Sequence, residues 1–332
     1  MKKAIVTGGG GFVGKAIVNK LLEKKVHTAI VSRNNYPDLE KKGARIFQCD
    51  IRDKYNLAEI FKGFDTVFHI AAKAGIWGNK NEYFSINCDG TNNVIAGCRK
   101  NNVQRLIYTS TPSVVFQRSS LENIDESAPY AESFLCHYAA SKTIAEKNIL
   151  AANNHSLKTT AIRPHLVWGP GDNHLIPRLL ERGKKKQLRI VGDGTNRVDI
   201  SFIDNVADAH LLAAHNLETD ATASGKAYFI SQGKPVNLWK WINELFSRLS
   251  IPPVTKTISF PMAYSAGCLL ELLHMAFRRR QEPRMTRFLA EQLAKSHWFS
   301  IERAKKDFGY EPSISTEEGM DRLVSWIRTK GV

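Results

Sequence analysis

The chain has no C-x-x-C pair, and its five cysteines (Cys49, Cys88, Cys98, Cys136 and Cys268) are odd in number and irregularly spaced. That pattern excludes a disulfide framework and a zinc knuckle, and it fits a reducing compartment. There is no unbroken apolar run of about 20 residues, the length a membrane-spanning helix requires. The longest apolar stretch, 258–277, is interrupted by Pro261, Glu271 and His274 and runs into Arg278-Arg279-Arg280. It reads as a buried or lid-forming helix, or as an amphipathic segment over 258–280 in peripheral contact with a membrane. Internal repeats, low-complexity tracts and nucleic-acid motifs are missing as well. Glycines from residue 8 leave no room for a signal h-region behind Met1-Lys2-Lys3, so the expected location is cytoplasmic. Acid is scarce: 32 Asp and Glu face 47 Lys and Arg, a formal net charge of +15. So basic a surface is either simply solvated or attracts a membrane face, an acidic substrate or an anionic cofactor.

What is present is a soluble-type composition, 43% hydrophobic over 332 residues, enough for one large domain or two interleaved ones. Strand-like apolar runs at 4–7, 28–32, 44–48, 66–70, 105–110 and 159–163 alternate with helical patterns at 14–24, 55–61, 83–101 and 138–153. This alternation predicts an α/β fold, a doubly wound parallel sheet of the Rossmann type, with ligands at the carboxyl ends of the strands. Residues 1–165 read as a dinucleotide-binding domain. A smaller C-terminal domain over 166–332 reads as mainly substrate-binding, interleaved with the first because segments near 198–230 return to it. Further strands are expected at 197–203 and 226–230, and helices at 175–182, 238–249, 301–308 and 316–329.

The first strand runs into Gly8-Gly9-Gly10-Gly11-Phe12-Val13-Gly14. Gly8, Gly11 and Gly14 supply a tight turn, close approach to a phosphate and close helix–strand contact, and Phe12 and Val13 between them are expected to meet the cofactor as well. The second strand ends Ser32-Arg33 with no acid to hold ribose hydroxyls. A guanidinium and a hydroxyl there suit a 2′-phosphate, so NADP is expected ahead of NAD. Asp50 and Ile51 are placed to meet the adenine.

Tyr138 and Lys142 stand one helical turn apart. A phenol titrates near ~10, and lowering it by about three units takes roughly 4 kcal/mol, which a nearby ammonium helps to provide. Tyr138 then exchanges a proton with a carbonyl or alkoxide oxygen while Lys142 also holds the nicotinamide ribose. A third hydroxyl is expected in Tyr108-Thr109-Ser110-Thr111-Pro112-Ser113, with Thr111 favoured over Ser113. Pro164, His165 and Val167 follow the next strand and should line the nicotinamide, although a purely structural His165 fits equally well. No metal is expected, since His165, Asp172 and His174 are spread across a loop.

With these motifs in order along nearly the whole chain, it resembles the extended short-chain dehydrogenases/reductases and, among them, the 3β-hydroxysteroid dehydrogenase/isomerase family. The segments 73–78, 109–116 and 163–172 are similar to those of the bacterial 2-alkyl-3-oxoalkanoate reductases of olefin biosynthesis. The resemblance implies NADPH-dependent reduction of a two-tailed β-keto acid, with Thr111, Tyr138 and Lys142 as the catalytic set. The family's usual serine is threonine at 111, and Arg33 stands where steroid-directed members carry an acid. The loop after the fourth strand brings Ala71, Ala72 and Lys73 to the cofactor, as Ser110 does from the fifth. Lys73 would also meet a substrate carboxylate beside Trp77 and Ser113, its alternative being a plain surface lysine. A homodimer and a lipid-like substrate are the partners implied. Alternatives are a 3β-hydroxysteroid or sterol dehydrogenase with or without an isomerase step, a nucleotide-sugar epimerase or reductase contacting its nucleotide through Arg197, and a silent NADP-sensing protein.

Overall fold

The computed structural model describes residues 1–330, so the last two positions of the 166–332 domain assignment lie outside the described residues. Lys3–Thr7 (β1), His27–Ser32 (β2), Arg45–Gln48 (β3), Thr66–His69 (β4), Arg105–Thr109 (β5), Lys158–Pro164 (β6) and Lys226–Ile230 (β7) form one sheet. Its order is β3-β2-β1-β4-β5-β6-β7, and every pairing is parallel. Apolar runs such as Ile5-Val6 and Ala29-Ile30-Val31 are buried on both faces, which is why they read as continuous rather than alternating. Order reverses between β1 and β4. Thr7 is level with both Val31 and His69, so the strand ends open a crevice at that switch point.

Helices cover both faces. On one, Ile17, Val18 and Leu21 of α1 (Phe12–Glu23) pack with Leu211, Ala214 and Leu217 of α4 (Ile203–Glu218). On the other, Val94, Ile95 and Cys98 of α2 (Gly90–Lys100) meet Ala145 and Ile149 of α3 (His137–Ala151). A separate core around Trp168, Phe202, Trp241 and Phe246 supports the second half. There Val236–Asn237, Arg197–Val198, His297–Phe299 and Leu121–Ile124 build a smaller sheet. Leu121–Ile124 thus leaves the first half to pair with the far end of the chain. Two further helices, α5 (Phe260–Ala276) and α6 (Arg287–Ala294), pack on each other in this half.

The six strands expected in the first half are present, no end displaced by more than one residue. Three local differences stand out. The run at 197–203 is not one strand, because buried Asp199 bonds to the backbone of His297 and Phe299, and α4 begins at Ile203. The helix expected over 83–101 is broken by a π-turn, Ser85–Asp89. The helix α4 carried no clear amphipathic signal.

Candidate active site

The first helix is preceded by Gly11 in extended conformation, which places no capping side chain over the leading N–H groups. Those donors, at the positive end of α1, suit a pyrophosphate. A Cβ on Gly14 would come 2.2 Å from the Gly8 carbonyl oxygen and 2.8 Å from Gly9 Cα, so only glycine permits the turn. Gly8, at φ +70°, packs on Ala71, whose Cα and N a Cβ would meet at 2.8 Å. The loop after β4 is therefore seated on the glycine turn.

A chain of hydrogen bonds fixes that seat. The Thr91 hydroxyl donates to the Asn87 carbonyl (2.6 Å), so it accepts from His69 Nε2 (2.9 Å). His69 Nδ1 then accepts from the Thr7 hydroxyl (2.7 Å), and Thr7 Oγ1 accepts from the Ala71 N–H (3.3 Å). Burial, with Lys142 nearby, pushes His69 down to about 3, so the ring stays neutral. Asn87, inside the π-turn, accepts the Lys73 N–H (2.7 Å) and donates to the Lys73 carbonyl (3.1 Å) and to Ser141 Oγ (2.9 Å).

Eight expected cofactor residues, Gly8, Ser32, Arg33, Asp50, Ile51, Ala71, Ala72 and Lys73, line a single cleft of about 220 Å³. Tyr36 lines it too, its ring lying where a Cβ on Gly10 would fall. Arg33 is exposed at the rim, close enough to help hold the Asp50 carboxyl below its usual range, after the stronger effect of Arg52. Ser32 Oγ accepts the Asn34 N–H. Gly11 and Phe12 open instead on a depression shared with Pro170, Gly171 and Ile203, while Val13 packs inward. The residues present fit a dinucleotide: an uncapped helix start, a glycine cradle that tolerates no Cβ, and a Ser110 hydroxyl buried without a partner among the described residues.

The candidate catalytic groups gather at the end of β5. Lys142 is buried, its Nζ donating to the Thr109 carbonyl (2.6 Å) above the Tyr108 ring (4.0 Å). Burial pushes it down to about 7, against the opposing pull of Glu146. Burial pushes the Tyr138 phenol up to about 12, and the facing Thr111 hydroxyl offsets part of that rise. The expected depression by the ammonium is not what this geometry gives, because Lys142 reaches back to the sheet. Thr111, which faces the phenol, shares a hydroxyl–hydroxyl bond of 3.2 Å with Ser113. Glu146, one turn beyond Lys142, is wholly buried and holds Arg163 through Nε (3.0 Å) and the Tyr130 hydroxyl (2.8 Å).

Other expected residues have partners of their own. His165 Nε2 bonds to His297 Nδ1 (2.6 Å), whose own Nε2 donates to the Gln292 carbonyl. Both rings are buried and held below the usual imidazole range. Val167 pairs with Ser201 in a short strand, and Pro164 closes β6. Between them Leu166 adopts φ +41°, a strained turn for a branched side chain. Asp172 caps the backbone N–H groups of His174, Leu175 and Ile176. Lys73 Nζ pairs with Glu82 (3.0 Å), Trp77 Nε1 donates to the Arg279 carbonyl (3.2 Å), and Arg197 stacks on Trp298. Sequence reasoning missed Tyr36, His69, Asn87 and Glu146. Of these only Glu146 left a signal, its four-residue step from Lys142.

Residues 5–262 match the model of the 3-beta hydroxysteroid dehydrogenase/isomerase family. The chain is 47% identical over 323 residues to a 2-alkyl-3-oxoalkanoate reductase of Stenotrophomonas maltophilia, covering 97% of this chain and 98% of that protein. A second such reductase, from Shewanella oneidensis, is 45% identical over 96% of this chain and 85% of its own length. The human sterol-4-alpha-carboxylate 3-dehydrogenase, decarboxylating, is 33% identical over 98% of this chain and 88% of its own. Among solved structures, MoeE5 in complex with UDP-glucose and NAD shares the fold at TM-score 0.77 and 22% identity, covering 99% of this chain and all of that one.

Proposed function

This chain belongs to the 3-beta hydroxysteroid dehydrogenase/isomerase family, and from that footing we propose that it reduces the ketone of a 2-alkyl-3-oxoalkanoic acid with NADPH. It is an oxidoreductase of the extended short-chain dehydrogenase/reductase type. The observation that carries the substrate assignment is near full-length identity of 45–47% to two reductases so named.

In this reading the nicotinamide, when bound, supplies the hydride. The chain's own residues do the rest. Tyr138, raised to about 12, is a phenol at neutral pH and so holds the proton that the developing alkoxide needs. Thr111, with Ser113 behind it, donates a hydrogen bond to the same oxygen and orients the carbonyl. Lys142, near 7, sits within the same buried cluster to restore the proton and to hold the ribose. Arg33 and Ser32 favour the 2′-phosphate, since no acid stands at the end of β2 to repel it. Lys73 meets the substrate carboxylate once released from Glu82. The same reading makes the protein a cytoplasmic homodimer that draws on lipid-like material through 258–280.

The test is NADPH oxidation with a long-chain 2-alkyl-3-oxo acid. Tyr138→Phe should lose about 10²–10⁴-fold in turnover while still binding the dinucleotide. Tight NADPH binding with no oxidation of that substrate sinks the assignment. It would then favour the sterol reading, which the identity to the sterol-4-alpha-carboxylate dehydrogenases supports.

A further inference from the structure

Helix α5 is covered on only one side. Gly267 presses against the backbone of Thr286, where a Cβ would come within 2.6 Å of the carbonyl carbon. Glu271, the helix's only charged side chain, is buried and accepts both the backbone N–H and the Nε of Arg287 at 2.7 Å. A helix apolar on all sides normally has every side buried. Here the opposite face is bare: Met262, Leu269, Leu272, Leu273, Met275 and Phe277 are 43–69% exposed. Of the large apolar side chains exposed among the described residues, only Tyr55 and Ile144 lie elsewhere. Contiguous exposed patches of this kind mark interaction sites.

The far end of the helix carries charge of one sign. Arg278, Arg279, Arg280 and Arg284 are exposed and form no ion pair among the described residues, while the neighbouring Glu282 is held by Arg178. No helix among those residues is long and apolar enough to cross a membrane. We infer that the outer face of α5 and the adjoining arginines dock on an anionic phospholipid surface, the leucines entering the acyl boundary and the arginines meeting headgroup phosphates. The docked end abuts the candidate site. Trp77, from the loop that carries Lys73, packs edge-on against His274 at 6.0 Å and bonds to the Arg279 carbonyl. That juxtaposition gives a two-tailed substrate a short path from bilayer to cleft, a purpose that rests on the proposed reaction; the docking itself does not.

The experiment is flotation of the intact chain with phosphatidylcholine vesicles, with and without phosphatidylglycerol, at low and high salt. Binding should require phosphatidylglycerol and weaken with salt. Replacing Arg278, Arg279 and Arg280 together by Gln should cost roughly a hundredfold in partitioning, since each basic side chain near such a surface is worth about fivefold. Leu269→Gln with Leu272→Gln should cost at least about tenfold through lost apolar burial. Both variants alter exposed side chains and should bind NADPH like the parent, which controls for folding. Absence of vesicle binding at low salt overturns the inference, as does wild-type binding by either variant. A dimer that dissociates in the leucine variant without vesicle binding would assign the face to a second copy and equally overturn it. No substrate enters the assay, so its failure leaves the proposed reaction standing.

Discussion

Replacing Glu146 by Gln should be among the most damaging single changes in the molecule. Its carboxylate is wholly buried and compensates Arg163, itself only 3% exposed, with one guanidinium nitrogen already unpartnered among the described residues. Removing one member of such a pair strands the other charge in a low dielectric, at a cost of about 3–5 kcal/mol. Removing both, as Glu146→Leu with Arg163→Met, should recover most of that loss, because the desolvation cost disappears with the charges. Urea unfolding of Glu146→Leu, Arg163→Met and the double variant at neutral pH, with Glu146→Gln alongside, closes the cycle. Single losses below about 1 kcal/mol, or a double variant as weak as the sum, would refute the reasoning. The change also reaches the chemistry. Glu146 is the main group supporting the Lys142 ammonium against burial, so in Glu146→Gln that group titrates below its present value near 7. The alkaline limb of kcat/KM for ketone reduction should therefore move to lower pH. An unmoved limb in a folded variant would mean that Lys142 does not govern it.

Three other outcomes follow from the same geometry. Arg33→Ser should raise KM for NADPH by about 10–100-fold, the worth of a charge-assisted pair, and leave KM for NADH nearly unchanged in steady-state assays. Lys73→Ala should raise KM for an acidic substrate but not for a neutral ketone; equal KM values in parent and variant would return Lys73 to its ion pair with Glu82. Lys142 is lowered from 10.5 to about 7, so the unfolded chain binds the additional proton between those values. Stability should then rise by about 2 kcal/mol from pH 7 to 9 through this group. The difference in unfolding free energy between parent and Lys142→Met should show it, free of the buried cysteines whose raised values act the opposite way above pH 9.

The parallel sheet was legible because its strands are buried on both faces, leaving unbroken apolar runs such as Ala29-Ile30-Val31 between turn residues. The glycine turn and the Tyr138–Lys142 step were legible because local geometry alone dictates them. Helix α4 was not. It is buried nearly all round, and its polar Asn205, His210 and Asn216 satisfy partners as distant as Ile314, Thr109 and Asp307, which erases any polar stripe. The π-turn at Ser85–Asp89 is invisible for a related reason: its use, turning Asn87 toward Lys73 and Ser141, lies in tertiary contacts. The structural bond of His165 was not legible because its partner, His297, is remote in the chain.

The passage of Leu121–Ile124 into a sheet completed by His297–Phe299 has a consequence for biosynthesis. A nascent chain emerging from the ribosome could assemble β1 to β5 early, yet Leu121–Ile124 would wait unpaired until His297–Phe299, more than 170 residues later, had been translated. Closing so long a loop is slow, and the waiting edge is sticky. Truncation just before His297, which removes the partner strand, should therefore yield insoluble product rather than a free-standing nucleotide-binding half.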